Sequence, residues 1–300
     1  MKNQYFQVME EDWDYLVVLD ACRFDFFSDL YSRFFKGELK KQISLGSSTI
    51  DWCKNTFSEY YDDVVYISGN PYINSKYSVA GFNAREHFFR IFDIWKIGWN
   101  DDIGTVHPGS ITEISLYLKK FYPDKRFIIH YLQPHSPYLS PLFDSTGYPE
   151  PDLSNGNVIK GVATYGGILS AFNNQVVKFS DIILTGGLGI GNVFPRKVME
   201  LLHLPPHCPI DEVRRKYGIM GLRQAYAENL KLVLSYVSKL SHGLGGRMVI
   251  TSDHGEFLGE HNMIGHPDNN QDPIVREVPW FLVENVIMDP FASDKIPNKM

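Results

Sequence analysis

Short apolar runs recur along the chain, and each ends at a polar or turn-forming residue. The clearest run is Tyr15–Leu19, which is followed directly by Asp20. Similar runs are found at Asp63–Ser68, Phe127–Leu132, Arg247–Thr251 and Val278–Val283. Continuous apolar runs of this length are typical of strands that are buried on both faces of a parallel sheet. The pattern therefore predicts four strands in one sheet, with Val278–Val283 as a fifth candidate.

Helical periodicity separates these runs. One apolar stripe with spacings of three and four residues is formed by Leu222, Tyr226, Leu230, Val233, Val237 and Leu240. Gly243, Gly245 and Gly246 follow it and should end that helix before the next strand. Strands that alternate with helices predict an α/β fold, which we expect to be a three-layer α/β/α sandwich with a mostly parallel central sheet.

The organisation of the chain predicts a single domain that comprises residues 1–300, with a core from about 12 to 290. The segment 138–209 is rich in glycine, proline, asparagine and serine. We expect it to form long loops and short helices over one edge of a functional site. No run of about 18 apolar residues occurs, so no integral membrane segment is predicted.

Charge and cysteine content narrow the class of protein. A net charge of −6 argues against a nucleic-acid partner. A protein of this charge that binds an anionic substrate needs a locally positive site, which is usually built with metal ions. The three cysteines (Cys22, Cys53 and Cys208) are widely spaced and suggest no disulfide framework. With no apolar leader at the N-terminus, these features predict a cytoplasmic location. The oligomeric state is not predicted.

Four polar side chains come directly after predicted strands: Asp20, His135, Asp253 and His254. In open α/β sheets, ligands bind outside the carboxyl ends of the strands. Asp253 and His254 offer a carboxylate and an imidazole, and His261 and His266 follow closely. This density favours a metal or anion site over a hydrogen-bonded turn, and Asp20 is either a further ligand or a helix cap.

Hydroxyl groups cluster between the first two predicted strands. Ser48 and Asp51 match a capping box, so a helix should begin there with Ser48 at its N-cap. A hydroxyl at a helix N-terminus is also favoured as an alkoxide and could act as a nucleophile beside a metal ion. Thr49 and Ser48 both qualify, and the local pattern does not choose between them.

Two further histidines are interpreted from their surroundings. His135 lies in a turn with Pro134 and Pro137, which suits contact with a substrate oxygen or protonation of a leaving group, although a structural role also fits. His130 lies inside the third apolar run and is predicted to be a core residue.

Several of these segments resemble the alkaline phosphatase/sulfatase superfamily. They are Leu19–Asp25, the Gln133–Tyr138 segment that is similar to an H-x-P-Y substrate contact, Thr251–Glu256 with Gly259–His261 and Gly265–Pro267, and Val275–Trp280. They occur in the order of the family and extend over nearly the whole chain.

The resemblance implies that Asp20, Asp253 and His254 bind a divalent metal ion, Zn²⁺ or Mn²⁺, together with a nucleophile that matches Thr49. It implies that His135 and His266 contact the anionic group of the substrate, or that His266 helps to hold a second metal. Ser48, which adjoins Thr49, is a further candidate substrate contact. One metal site is expected, because no further ligand pair of the D-x-x-x-H kind is found.

The chain also departs from this family. Formylglycine sulfatases need the motif C-x-[PA]-x-R, and neither Cys22 nor Cys53 is followed by it. The expected function is therefore a metal-dependent phosphate-ester hydrolase, a phosphodiesterase or phosphomonoesterase with a covalent threonine intermediate. Its substrate is expected to be a small-molecule, glycan-linked or lipid-linked phosphate or sulfate ester. The alternatives are a phosphotransferase that uses the same first step, a sulfatase, and a non-catalytic anion- or sugar-binding protein.

Overall fold

A seven-stranded sheet forms the centre of the protein, as seen in a computed structural model that describes Val8, residues 11–151, Leu153, Pro206 and residues 208–287. The strands are β1 (Tyr15–Leu19), β2 (Phe35–Ile43), β3 (Tyr61–Ser68), β4 (Phe88–Asp93), β5 (Trp99–Asn100), β6 (Thr105–Val106), β7 (Arg126–Tyr131), β8 (Met248–Thr251), β9 (Phe257–Leu258), β10 (Ile264–Gly265) and β11 (Glu277–Val286). The helices are α1 (Phe24–Leu30), α2 (Thr49–Thr56), α3 (Ile94–Ile97), α4 (Pro108–Lys119), α5 (Pro209–Gly243) and α6 (Pro273–Arg276).

The order of the central sheet is β2-β11-β8-β1-β7-β3-β4, and the two small hairpins β5–β6 and β9–β10 lie outside it. The strands from β8 to β4 are mutually parallel, whereas β11 is antiparallel to both of its neighbours. The predicted α/β fold with a mostly parallel sheet is therefore confirmed.

Side chains of β1 alternate between two apolar cores, one on each face of the sheet. Val17 and Leu19 belong to a core that also contains residues of α1, α4 and α5. Leu16 and Val18 belong to a second core, to which Trp52 of α2 contributes. Burial on both faces explains why this strand reads as a continuous apolar run.

The five predicted strands are all present, but the apolar pattern missed β2 and β4. In β2 the sequence Phe35–Ile43 alternates exposed and half-buried positions, and most of them are charged or polar. Both strands lie at the edges of the sheet, where one side of the strand pairs with no neighbour among the described residues. Edge strands bury less surface, so they lack the continuous apolar signal that marks the central strands.

The helix predicted from the stripe Leu222–Leu240 extends over Pro209–Gly243 and ends at Gly243, as expected. Gly218 interrupts it with φ 70° and ψ −175°, a conformation that favours glycine, so the helix has two parts. The predicted loops of segment 138–209 agree with the structure over 138–151, where no helix or strand occurs. Most of the remainder of that segment lies outside the described residues.

Candidate metal centre

The candidate site lies at the carboxyl edge of the sheet, where five segments of the chain meet. Asp20 follows β1, Asp253 and His254 follow β8, and Thr49 is the first residue of α2. Asn70 follows β3 and His130 belongs to β7. The strand order β8-β1-β7-β3 makes these strands direct neighbours, so residues far apart in the sequence come together.

Asp253 is the most heavily bonded group of the site. Its Oδ2 accepts a hydrogen bond from the Thr49 hydroxyl at 2.7 Å. Its Oδ1 accepts from the backbone amides of Ala21 at 3.1 Å and His254 at 3.0 Å. The carboxylate is fully buried and is held in a single orientation by donors from three parts of the chain.

Asp20 is buried beside it and shares a partner with Thr49. The side-chain amide of Asn70 donates to Asp20 Oδ2 at 2.6 Å and to Thr49 Oγ1 at 3.2 Å. Asn70 was not among the residues predicted from the sequence. A Gly-Asn-Pro turn after a buried strand was the available signal, since it places an amide at the same edge as the ligands.

Two buried histidines direct their Nε2 atoms towards these carboxylates. His254 Nε2 lies 3.4 Å from Asp253 Oδ2 and 3.9 Å from Asp20 Oδ1. His130 Nε2 lies 3.8 Å from Asp20 Oδ2 and 3.9 Å from Asp253 Oδ2. Neither Nε2 atom has a hydrogen-bond partner among the described residues, although both are buried. His130 is buried as predicted, but its position in the site was missed.

Burial and mutual repulsion set the protonation of the acidic pair. Burial and the neighbouring Asp253 raise the pKa of Asp20 well above its usual value. Burial would also raise the pKa of Asp253, but His254, His130 and the Thr49 hydrogen bond together lower it. Burial lowers the pKa of His254, and it lowers the pKa of His130 to about 4. Neutral imidazoles beside an ionised carboxylate make a site that attracts a cation.

The residues present fit a divalent metal ion. Asp20, His130 and Asp253 offer ligand atoms that all lie within 4.8 Å of one another. His254 and Thr49 stand next to this group through their contacts with Asp253. Carboxylate oxygens and imidazole nitrogens are the donors that zinc takes in proteins, and the orphaned Nε2 atoms are free to bind.

The predicted substrate-contact histidines lie around this centre. The ring centroid of His266 lies 4.2 Å from that of His254 and 5.7 Å from that of His135. His135 is half-buried, and its backbone amide donates to the Asp20 carbonyl at 3.2 Å. Glu256, which follows in the same segment as His254, is buried, and its carboxylate oxygens find no hydrogen-bond partner among the described residues. Burial raises the pKa of Glu256 to about 7.

The loop that carries His135 is held by a residue of α5. Asn229 donates its side-chain amide to the carbonyls of Pro134 at 3.4 Å, His135 at 3.3 Å and Pro137 at 2.9 Å. Its Oδ1 accepts from the Leu139 amide at 2.8 Å. The peptide bonds before Pro134 and Pro137 are both cis. The position of His135 therefore depends on a fully buried asparagine that sequence reasoning did not single out.

Ser48 is the N-cap residue of α2, as the capping box predicts, but its side chain makes no capping hydrogen bond. The backbone of Ser48 is extended, with φ −150° and ψ 160°, and the residue is half-buried. The first backbone amides of α2, next to Thr49, therefore donate no hydrogen bond to the serine hydroxyl. A helix N-terminus of this kind favours a nearby anion.

An ion-pair network supports the segment after β1. Arg23 is buried and binds Asp25 at 2.6 Å and Glu260 at 2.7 Å. The Arg23–Asp25 pair and the contact with Glu260 connect the start of α1 with the segment after β9. Arg223 of α5 also pairs with Glu260. This network fixes the segment after β9 against two helices.

Comparison with family models finds no match, and no curated protein matches in a sequence comparison. Among solved structures, the chain is similar to the soluble domain of lipooligosaccharide phosphoethanolamine transferase A from Neisseria meningitidis (15% identity, 89% of this chain and 75% of that chain, TM-score 0.44). It is also similar to the C-terminal periplasmic domain of phosphoethanolamine transferase EptC from Campylobacter jejuni (14%, 89% and 77%, TM-score 0.43). A third similar structure is the C-terminal periplasmic domain of EcEptC from Escherichia coli in complex with zinc (13%, 96% and 77%, TM-score 0.43).

These structures are members of the alkaline phosphatase/sulfatase-like superfamily, the group that the sequence motifs resemble. At this level of identity the similarity concerns the fold. Two of them are described as periplasmic domains, and this finding overturns the expected cytoplasmic location. The cysteine argument was wrong because Cys22 and Cys53 are buried, where a thiol packs as a small apolar group and does not report the redox state of a compartment.

Of the helices in 11–151 and 208–287, none has the length and hydrophobicity that a bilayer-spanning segment requires.

Proposed function

We propose that this protein is a metal-dependent enzyme that moves a phosphate-linked group from an ester onto Thr49 and then onto an acceptor. The observation that carries the proposal is the contact of the Thr49 hydroxyl with the buried Asp253 carboxylate at 2.7 Å, at the N-terminus of α2. A hydroxyl that donates to a buried carboxylate, beside a cluster of candidate metal ligands, has the surroundings of an activated nucleophile.

Asp20, Asp253, His254 and Thr49 are the residues we propose as metal ligands, with Zn²⁺ or Mn²⁺ as the ion. A divalent ion bound there would supply positive charge that favours the Thr49 alkoxide and neutralises an anionic ester. Asp253 accepts the hydrogen bond of the Thr49 hydroxyl, and Asn70 fixes that hydroxyl from the other side at 3.2 Å. These two contacts orient the oxygen for attack on phosphorus.

The surroundings of Thr49 suit an anionic substrate. The first turn of α2, which the Ser48 side chain does not cap, presents backbone amides. His266 lies next to the proposed ligand His254, and His135 lies next to His266. We assign to both contact with the ester oxygens or the leaving group. Ser48 is proposed as an accessory substrate contact because it adjoins Thr49.

Transfer and hydrolysis share this first step and differ in whether an alcohol or water accepts the group. The descriptions of the similar solved structures fit transfer better than the hydrolysis expected from the sequence. We therefore put transfer of a phosphate-linked group to a glycan or lipid acceptor first, with hydrolysis as the second candidate. The donor would be a lipid-linked or small-molecule phosphate ester.

The decisive experiment compares wild type with Thr49→Ala, Thr49→Ser and Ser48→Ala. The protein is loaded with zinc or manganese and incubated with p-nitrophenyl phosphate, bis-p-nitrophenyl phosphate and a fluorescent phosphoethanolamine lipid. We expect Thr49→Ala to lose turnover by at least about 10³-fold, Thr49→Ser to keep part of it, and the matched Ser48→Ala to keep most of it.

Mass spectrometry of rapidly quenched samples identifies the covalent adduct. We expect the added mass on a peptide that contains Thr49, and release of the product to accelerate when an alcohol acceptor is added. Full turnover of Thr49→Ala, or an adduct at another residue, would contradict the proposed nucleophile. Absence of both metal binding and turnover in wild type would instead favour a non-catalytic anion-binding protein.

A further inference from the structure

His130 occupies an unusual position for a histidine of a central strand. It belongs to β7, which lies between β1 and β3, and its side chain is fully buried. Nδ1 makes a hydrogen bond of 2.8 Å with the Tyr66 hydroxyl. The ring packs edge-on against Trp52, with a centroid distance of 6.4 Å. These contacts fix the ring so that Nε2 points towards Asp20 and Asp253.

In neither neutral tautomer of this imidazole does Nε2 find a hydrogen-bond partner among the described residues. When Nδ1 carries the proton and donates to Tyr66, the lone pair of Nε2 faces two carboxylates, which also offer only lone pairs when ionised. When Nε2 carries the proton, the nearest carboxylate oxygens lie at 3.8 and 3.9 Å, beyond hydrogen-bond distance. A buried nitrogen in this setting needs a further partner, and a cation between it and the two carboxylates would supply one.

We infer that His130 is a direct ligand of the divalent ion through Nε2, and that the Tyr66 hydroxyl selects the required tautomer by accepting a hydrogen bond from Nδ1–H. This inference rests on the proposed metal-dependent function. Metal-bound histidines characteristically donate their second ring N–H to such a partner. His130 then joins the proposed ligands Asp20, Asp253, His254 and Thr49, so that the set contains two carboxylates, two imidazoles and one hydroxyl.

The distances agree with one shared ion. Two donors that each bind zinc at about 2.0–2.2 Å cannot lie more than about 4.4 Å apart. The separations of 3.8 and 3.9 Å for His130 satisfy this limit, as do those of 3.4 and 3.9 Å for His254. Both histidines therefore lie within the separation from the two carboxylates that one shared zinc ion would require.

A second imidazole changes the expected metal. Imidazole ligands favour zinc and other late transition ions, whereas manganese is favoured by carboxylate, carbonyl and water oxygens. A site with one histidine accepts either ion, but a site with two should discriminate. We therefore infer that zinc binds in preference to manganese, and that His130 provides much of this preference.

X-ray absorption of the zinc-loaded full chain counts the imidazole ligands directly. We expect two imidazoles in wild type and one in each of His130→Ala and His254→Ala. His87→Ala is the control, because His87 is a partly exposed histidine whose ring bonds the Glu59 carbonyl, and it should leave two. Zinc and manganese affinities of the same proteins are measured by competition with a chromogenic chelator.

In His130→Ala we expect the zinc affinity to fall by about 100-fold or more, because loss of an outer partner alone costs about 10–100-fold. The manganese affinity should fall less. Tyr66→Phe should retain two imidazoles with a zinc affinity lower by about tenfold. These readouts differ from those of a merely structural histidine, whose loss would reduce stability but leave the ligand count and the zinc preference unchanged.

One imidazole in wild type, or an unchanged count and affinity in His130→Ala, overturns the inference while leaving the proposed function intact. A wild-type protein that binds neither zinc nor manganese sinks the proposed function itself. Because one imidazole in wild type is itself an overturning result, the inference stays falsifiable even where His130→Ala does not fold.

Discussion

The amide nitrogen of Asn70 bridges Asp20 and Thr49, with distances of 2.6 Å to Asp20 Oδ2 and 3.2 Å to Thr49 Oγ1. One side chain therefore orients both a candidate ligand and the candidate nucleophile. Because Asn70 is buried, no solvent competes for these contacts. Asn70 therefore orients these two groups without being a proposed metal ligand itself.

Asn70→Ala should lower turnover by about 10–100-fold, since it removes an outer contact of the proposed centre. The metal stoichiometry should stay at the wild-type value, because the proposed ligands are unchanged. Steady-state kinetics and elemental analysis test this. Asn55→Ala, at an exposed position in α2, is the control and should behave as wild type. Loss of the metal in Asn70→Ala would contradict the assigned role.

Removal of the metal should destabilise the wild-type protein. Free zinc at a concentration of about 100 times its Kd should stabilise the folded state by about 2.7 kcal/mol, and a chelator should abolish this stabilisation. Asp253→Asn keeps the shape of the side chain but loses a charge that is buried beside Asp20. Thermal unfolding with and without chelator should therefore show no response in the variant. Equal responses of both proteins would count against Asp253 as a ligand.

Asn229→Ala should lower the free energy of unfolding by about 1–3 kcal/mol, because it leaves buried carbonyls of the 134–137 segment without a donor. It should also reduce kcat/KM more than the metal affinity, since His135 shifts while Asp253 does not. Chemical denaturation and kinetics measure the two effects. A loss of stability without any kinetic effect would remove His135 from the proposed substrate contacts.

Glu260→Ala should destabilise the protein more than Asp25→Ala, although both remove a partner of Arg23. The Glu260 side chain is 18% exposed and also binds Arg223 and the Leu258 amide, whereas the Asp25 side chain is 58% exposed. We expect a cost of about 2 kcal/mol for Glu260 and below about 1 kcal/mol for Asp25. Urea unfolding of the two variants compares them. The reverse order would contradict this account of the network.

The pair of Asp63 and Arg126 predicts a pH dependence outside the site. Burial raises the pKa of Asp63, but the hydrogen bond and charge of Arg126 outweigh this and lower it below the ordinary value of 3.8. The ionised carboxylate therefore stabilises the fold above that value, and this contribution disappears as the pH falls through the lowered pKa.

The stability difference between wild type and Asp63→Asn should be about 1 kcal/mol or less near neutral pH, because the pair is partly exposed. It should shrink below pH 3.8. Unfolding free energies measured from about pH 7 to about pH 2.5 test the sign. A difference that grows on acidification would exclude this pair as its origin.

The central strands could be predicted from the sequence because burial on both faces leaves a continuous apolar run, as in Tyr15–Leu19. The edge strand Phe35–Ile43 could not, since much of its surface faces solvent and its residues are mostly polar. That the whole chain forms a single domain stays a prediction. The helix start at Thr49 was found because turn chemistry is local, although the serine cap that signalled it forms no hydrogen bond.

The candidate site was only partly predictable for a different reason. Asp20, Asp253 and His254 follow strand ends, where a polar residue stands out against an apolar run. His130 lies inside a strand, so its sequence position resembles that of a core residue. Only the register, which pairs His130 with Val18 two residues before Asp20, shows that its side chain faces the carboxylates. Register depends on contacts between distant segments, which one sequence does not display.

The strand order also has a consequence for the order of events during synthesis. Strand β8 pairs with both β1 and β11, yet β1 ends at Leu19 and β8 begins only at Met248. A nascent chain that has emerged only as far as α5 contains Asp20, Thr49, Asn70 and His130 but lacks Asp253 and His254. Until Met248–Thr251 joins the sheet, such a chain has a solvent-exposed strand edge and an incomplete ligand set. The proposed ligand set is therefore complete only after β8 has paired with β1, two strands that are separated by more than 200 residues in the sequence.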